Sequence, residues 1–191
     1  MPGAVFNQLA ELASDQYGFV TQAQTRELGV QPMTLIRMAE RGALERRGHG
    51  LYRVAHFPMT PLDSYMEATL WPIGTRGVLS HETALELYEL SDVNPAKIHI
   101  TVPKGHRIRR EIPALYRIHH EILADEDVTF HEGIPIVTPA HAIRQCHAEH
   151  LGLALIGQAI DHGQRNGRLA AKHAAQLRAE IGVRAGSGMR R

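Results

Sequence analysis

Apolar residues at Val5, Phe6, Leu9, Leu12 and Ala13 recur at intervals of three and four, which predicts an amphipathic helix that packs behind the segment after it. Tyr17 to Val20 reads as a short extended link. Thr21 followed by Gln24 has capping-box spacing, in which hydroxyl and amide satisfy free backbone N–H groups and start a second helix through Arg26 to Leu28. Gly29 ends that helix, because glycine enters the left-handed conformation a helix C-terminus needs. Pro32 opens a third, where a missing N–H costs nothing. In the third helix Leu35, Met38 and Ala39 form one buried stripe, leaving Gln31, Met33, Thr34, Arg37 and Arg41 turned outward. Gly42 closes it, and Leu44 to Arg47 and Leu51 to Val54 predict two strands about the loop Gly48, His49 and Gly50. Two short helices around a tight turn, followed by a glycine-tipped hairpin, predict a winged helix-turn-helix.

Ala55 to Pro61 holds two prolines and little charge, which marks a domain boundary. Beyond it Asp63 to Leu70 predicts a helix stopped by Trp71, Pro72 and Gly74, and Ser80 is placed to cap another from His81 to Leu90. After Pro95 the pattern becomes alternating. His99 to Val102, Tyr116 to His119, Val128 to Phe130 and Ile134 to Val137 read as strands, the last two joined as a hairpin through Glu132 and Gly133. Thr138 and Pro139 start a helix containing Ile143 and Cys146, and two further helical stretches follow, Leu151 to His162 and Leu169 to Ile181. The expected fold class is therefore α+β: a winged helix-turn-helix over residues 1–57, a small mixed α/β domain with a helical C-terminal end over 62–183, and a basic, flexible tail over 184–191.

Charge sharpens the picture only locally, since the whole chain carries a net charge of +1. From Gln31 to Ala55 the five arginines at 37, 41, 46, 47 and 53 face only Glu40 and Glu45. Arginine pairs with guanine in bidentate fashion, glutamine with adenine, and threonine reaches a base edge or a phosphate, so Gln31, Thr34, Arg37 and Arg41 suit a DNA groove. Phosphate-neutralising groups carry much of DNA affinity, which extends the candidate set to Arg46, Arg47 and Arg53. The plainer alternative is an ordinary three-helix domain with a solvated basic face. A second basic cluster at Lys104, Arg107, Arg109, Arg110 and Arg117, opposed by Glu111, and a third from Arg165 to Arg191, are secondary DNA contacts or solvated surface. Acidic groups at Glu82, Glu86, Glu89 and Asp92, then Glu121, Asp125, Glu126, Asp127 and Glu132, make the second domain bipolar, as a protein partner or self-association would require.

Other classes are excluded by composition and by motif. A hydrophobic share of 43% and a charged share of 21% are those of a folded chain. The single cysteine, Cys146, excludes an intrachain disulfide and points to a reducing, cytoplasmic setting, with the thiol as a small buried apolar group. The N-terminus lacks the pattern of a signal peptide, and the longest apolar-rich run, Leu151 to Ile160, is too short to span a bilayer, so no membrane role is expected. Thirteen histidines raise the question of a metal, and His141, His147 and His150 share one helical region without the ligand spacings of a zinc site. His119 and His120 alternate to opposite faces of a strand and cannot line one site together. No metal site, no cofactor and no catalytic activity are expected, because no nucleophile elbow, phosphate loop or dinucleotide fingerprint is present.

The succession GHGLYRV, VLSHETALELYEL, IHITVP and GIPIVTPAHAI, from about Phe6 to about Ala148, resembles the AbiEi antitoxins, the regulatory half of type IV toxin-antitoxin systems. The resemblance implies a winged N-terminal domain that represses its own operon by binding promoter repeats in double-stranded DNA, self-associating there. It also implies a C-terminal antitoxin domain that counteracts a nucleotidyltransferase-like toxin, directly or indirectly. Gln31, Thr34 and Arg37 would then read bases, while Arg46, Arg47 and His49 would be wing contacts. Longer chains of similar N-terminal architecture end in a nuclease domain; here only Asp161 and Glu180 follow Glu149, fewer carboxylates than such a metal centre needs. The competing reading is a stand-alone winged-helix transcription factor whose second domain senses a small ligand.

Overall fold

The computed structural model describes residues 3–183, and the tail expected over 184–191 lies outside the described residues. Among the described residues the fold is mixed α+β, with eight α-helices and two sheets. The chain divides into two compact units. One takes in the chain up to Gly77 with His106–Arg109 and Glu132–Ile134, and the other takes in the remainder. No helix among the described residues is long and apolar enough to cross a membrane.

In the first unit α1 (Ala4–Ser14), β1 (Phe19–Thr21), α2 (Gln22–Glu27), α3 (Pro32–Glu40), β2 (Leu44–Gly48), β3 (Leu51–Val54) and α4 (Asp63–Leu70) follow in order. The segment read as a mere link after α1 forms β1, because Phe19, Val20 and Thr21 pair with Arg53, Tyr52 and Leu51 across the open edge of β3. The sheet is antiparallel in the order β1-β3-β2, with a bulge in β2 between Arg46 and Gly48 that bends the hairpin. As the middle strand, β3 is buried on both faces, so its four residues show no alternation. Leu9 and Ala13 from α1, Leu35 from α3, and Val20, Leu44, Tyr52 and Val54 from the sheet close one core, with Val5, Phe6, Leu12 and Met38 packed at its rim. Two short helices and a three-stranded sheet bury too little alone, and α1 supplies the missing wall.

The second unit contains β4 (Val78–Leu79), α5 (His81–Leu87), β5 (Ile98–Pro103), β6 (Tyr116–Glu121), β7 (Val128–His131), β8 (Ile134–Val137), α6 (Pro139–Ala148), α7 (Leu153–Arg165) and α8 (Ala171–Ile181). Its sheet runs β6-β5-β4-β8-β7, with β4 antiparallel to β5 and parallel to β8, and β5 parallel to β6. The expected helix from His81 ends early, at Leu87, since Glu89 adopts a left-handed φ of 55° that helix continuation forbids. Ser80 occupies the N-cap of α5 without making a side-chain cap bond, because its hydroxyl is engaged by Thr101 and His81 instead. Leu169 precedes α8 rather than starting it: its N–H donates to Gly163 O at 2.8 Å, and its side chain packs onto Gly163 of α7. Leu79, Leu85, Ile100, Ile136, Ile143 and Ile156 are fully buried, and this apolar interior is drawn from sheet and helices together.

Candidate nucleic-acid interface

The entry to α2 is held by the reciprocal bonds its sequence predicts. Thr21 N–H donates to Gln24 Oε1 at 3.0 Å and Gln24 N–H donates to Thr21 Oγ1 at 3.3 Å. Gln24 is fixed further by Gln16, which accepts from its amide at 2.8 Å. At the other end Gly29 takes a φ of +74°, and Val30 N–H donates to Thr25 O at 2.9 Å, which turns the chain so that Val30 enters the core. Pro32 then sits in the first turn of α3. Leu35, at 0% exposure, anchors α3 from below and so determines which face looks outward.

That outward face carries exposed Gln31, Met33, Ile36, Arg37, Glu40 and Arg41, with Thr34 half-buried beside them. Met33 and Ile36 are 55% and 40% exposed, an apolar strip beside the two arginines. Ile36 was missed from the sequence, although it lies one helical step, i+3, from Met33. The chemistry offered is two guanidinium forks, one carboxamide, one hydroxyl, two apolar side chains and one carboxylate, that of Glu40, on a single helix. Hydrogen-bond donors and thymine-methyl contacts of this kind are what a major groove accepts.

The β2–β3 hairpin supplies a second element. Gly50 O accepts from Gln22 N–H at 2.8 Å, so the hairpin tip is tied to the start of α2. Arg46 is exposed, its Nε donating to Gly48 O at 3.4 Å, and His49 is exposed at the tip. Arg47 donates to Glu67 of α4 at 3.1 Å while remaining 46% exposed. Arg53 has a different fate from its expected one. It is 6% exposed, and its guanidinium donates to Phe57 O, Pro58 O and Asp63 Oδ2 at 3.1, 3.0 and 2.8 Å. An arginine on the middle strand is spent inside the unit and is withdrawn from the groove-facing set.

Lys104, Arg107 and Arg109 are exposed in the connection between β5 and β6, whereas Arg110 is half-buried and burial lowers its pKa from the ordinary guanidinium range. The structure therefore separates these four residues of the expected secondary cluster into three exposed cations and one partly withdrawn.

Comparison with known proteins adds a family match over part of the chain and a likeness of fold. No curated protein matches the chain. Among solved structures, the crystal structure of the RV2827C protein from Mycobacterium tuberculosis is similar, with a TM-score of 0.55 and 16% identity over 94% of this chain and 72% of that one. At that identity the likeness is one of fold. Residues 7–55, from within α1 to just past β3, match the family described as transcriptional regulator, AbiEi antitoxin, which is a regulatory family. It is over that segment alone, residues 7–55, that the chain is similar to this family of transcriptional regulators.

Proposed function

We propose that this protein is a DNA-binding antitoxin that represses its own toxin-antitoxin operon and counteracts a nucleotidyltransferase-like toxin encoded beside it. In this reading α2, the turn at Gly29 and α3 act as a helix-turn-helix. The β2–β3 hairpin is its wing, and the second unit is the antitoxin domain. The observation that carries the reading is the exposed face of α3, where Gln31, Arg37 and Arg41 project from a helix anchored by a fully buried Leu35. Gln31, Thr34 and Arg37 read base edges, while Arg41, Arg46, Arg47 and His49 meet phosphates, which position the protein without reading sequence. Match of the same stretch to a family of transcriptional regulators supports the assignment.

The test is promoter binding measured by fluorescence anisotropy. Arg37→Ala is expected to cost about 1 to 3 kcal/mol on the native promoter and to relax preference at one base pair, the signature of a lost bidentate contact. A variant of unchanged circular dichroism and unchanged promoter affinity refutes the role of α3. Co-expression with the neighbouring toxin tests the second half: growth is rescued by the full chain and not by a chain ending at Gly77, where the main segment of the first unit ends.

A further inference from the structure

We propose that the second unit binds one divalent transition-metal ion, zinc foremost, through His81, His99 and His119. The three residues are far apart in sequence and are brought together by strand pairing. Thr101 of β5 lies opposite His119 of β6, so His99 and His119 share one face of the sheet two positions apart. On the other side of β5, Ser80 N–H donates to His99 O at 3.1 Å, which places His81, the next residue, over the same spot. One ring nitrogen from each residue lies within 4.8 Å of the other two. His119 Nε2 and His99 Nδ1 are 3.2 Å apart, close to the separation of about 3.3 Å that two ligands keep on a tetrahedral zinc ion with bonds of about 2.0 Å.

On two of the three rings, His81 and His119, the nitrogen turned away from this point has a polar neighbour, as on metal-bound imidazoles. His81 Nδ1 lies 3.0 Å from Ser80 Oγ, which in turn accepts from the Thr101 hydroxyl at 2.8 Å, leaving Nε2 of His81 as the ligand atom. His119 Nδ1 lies 3.5 Å from Glu149 Oε1, and the other oxygen of Glu149 accepts from Arg117. Glu149 thus orients the His119 ring and brings negative charge close to the ion. Burial, reinforced by the neighbouring imidazoles and Arg117, pushes His81 down to about 2 and His99 to about 4, and burial with Arg117 and His120 pushes His119 to about 4. Burial thus favours the neutral form of these rings, in which a lone pair is available.

The backbone adds an independent sign. His81 holds a left-handed φ of 52° at the head of α5, a strained conformation kept only where its surroundings over-determine it. The His81 and His119 rings stack at 3.6 Å and 16°. An imidazole binds metal in its own plane, so loading turns one ring out of the stack until the lone pairs converge. Three imidazoles without a thiolate select zinc and its neighbours cobalt, nickel and copper over calcium or magnesium, and they leave one position for water or another ligand. Such an ion would tie the head of α5 to β5 and β6.

The experiment uses the full chain without a polyhistidine tag, stripped with chelator, and then titrated with Zn²⁺ by calorimetry and with Co²⁺ by visible absorption. One ion per chain is expected, with the Co²⁺ spectrum of a four-coordinate nitrogen and oxygen site and a rise in thermal midpoint on loading. His99→Gln and His119→Gln should each abolish the site. Glu149→Gln, a change at a partly exposed carboxylate that the fold tolerates, should weaken it about 10- to 100-fold. His147→Ala with His150→Ala, which removes surface imidazoles outside the cluster, should leave it intact. Absence of a saturable site for either ion overturns the proposal, as does a site that survives His99→Gln or disappears with His147 and His150.

Discussion

Replacing Arg53 with methionine removes the guanidinium and keeps most of the apolar stem, and the structure sets the size of the effect. Two backbone carbonyls, Phe57 O and Pro58 O, lose their donor, at about 1 kcal/mol each. Asp63 loses a cation at 2.8 Å in a pair whose side chains are 7% and 13% exposed, although it keeps the Thr60 N–H at 3.1 Å and the Thr60 hydroxyl at 2.8 Å. That residual satisfaction places the total near the lower end of the ~3–5 kcal/mol typical of breaking a buried pair, so we expect about 3 kcal/mol. Cation-π contacts to Phe19 and Phe57, at 5.7 and 5.9 Å, disappear as well and are included in that figure. Trp71, the single tryptophan, is buried in the first unit and reports its unfolding. With a urea dependence of roughly 1 kcal/mol per molar for a unit of this size, the fluorescence midpoint should fall by about 2 to 3 M. Replacing both partners, Arg53→Met with Asp63→Leu, should recover part of the loss, because an apolar pair leaves no uncompensated charge. A midpoint that stays put while affinity for every DNA sequence falls would refute this reasoning and return Arg53 to the DNA surface.

Other expectations follow from the same geometry. Arg46→Ala with Arg47→Ala should weaken binding to all DNA alike and lower the slope of log affinity against log salt by about 1 to 2, most of it from Arg46, since Arg47 shares its charge with Glu67; an unchanged slope across a salt series would exclude the hairpin as a phosphate contact. Gly163→Ala places a methyl 2.7 Å from Leu169 Cδ1 and 2.9 Å from its Cγ, and Leu169 is too buried to swing aside. Overpacking should outweigh the gain in helix propensity and destabilise the second unit by about 1 to 2 kcal/mol, whereas a raised thermal midpoint by circular dichroism would contradict it. The Cys146 thiol is buried, and burial together with the charges of Glu82 and Glu149 pushes its pKa up, so iodoacetamide at pH 8 should label it only after unfolding; rapid labelling of the native protein would show an open path to it.

The first unit was legible because its punctuation is local. Thr21 with Gln24, Gly29 and Pro32 each act within a few residues, and the elements they bound lie where the sequence places them. What was missed is non-local. Val78 and Leu79 form a strand too short to show any period, defined by pairing with Thr101, Ile100 and Ile136. Arg53 looked like one more surface arginine because its partner, Asp63, lies across a proline-containing loop. Strand alternation correctly separated His119 from His120, which is exposed, yet gave no hint that His119 meets His81 and His99. Three single histidines from three elements leave no spacing to read, and only the register of β5 against β6 assembles them.

The middle strand of the second sheet is also its shortest, which bears on how the sheet closes as the chain folds. β5 with β6, and β7 with β8, form pairs of four to six residues on either side, while β4 contributes two residues to the seam between them. Leu79 must reach Ile100 and then Ile136, which lies much farther along the chain, and such distant closures come at a cost in chain entropy that local contacts do not carry. We expect the contact of Leu79 with Ile136, the most distant of these pairings, to form last. Truncating Leu79 would then leave the folding rate nearly unchanged and speed unfolding, the kinetic signature of a residue whose contacts are absent from the transition state.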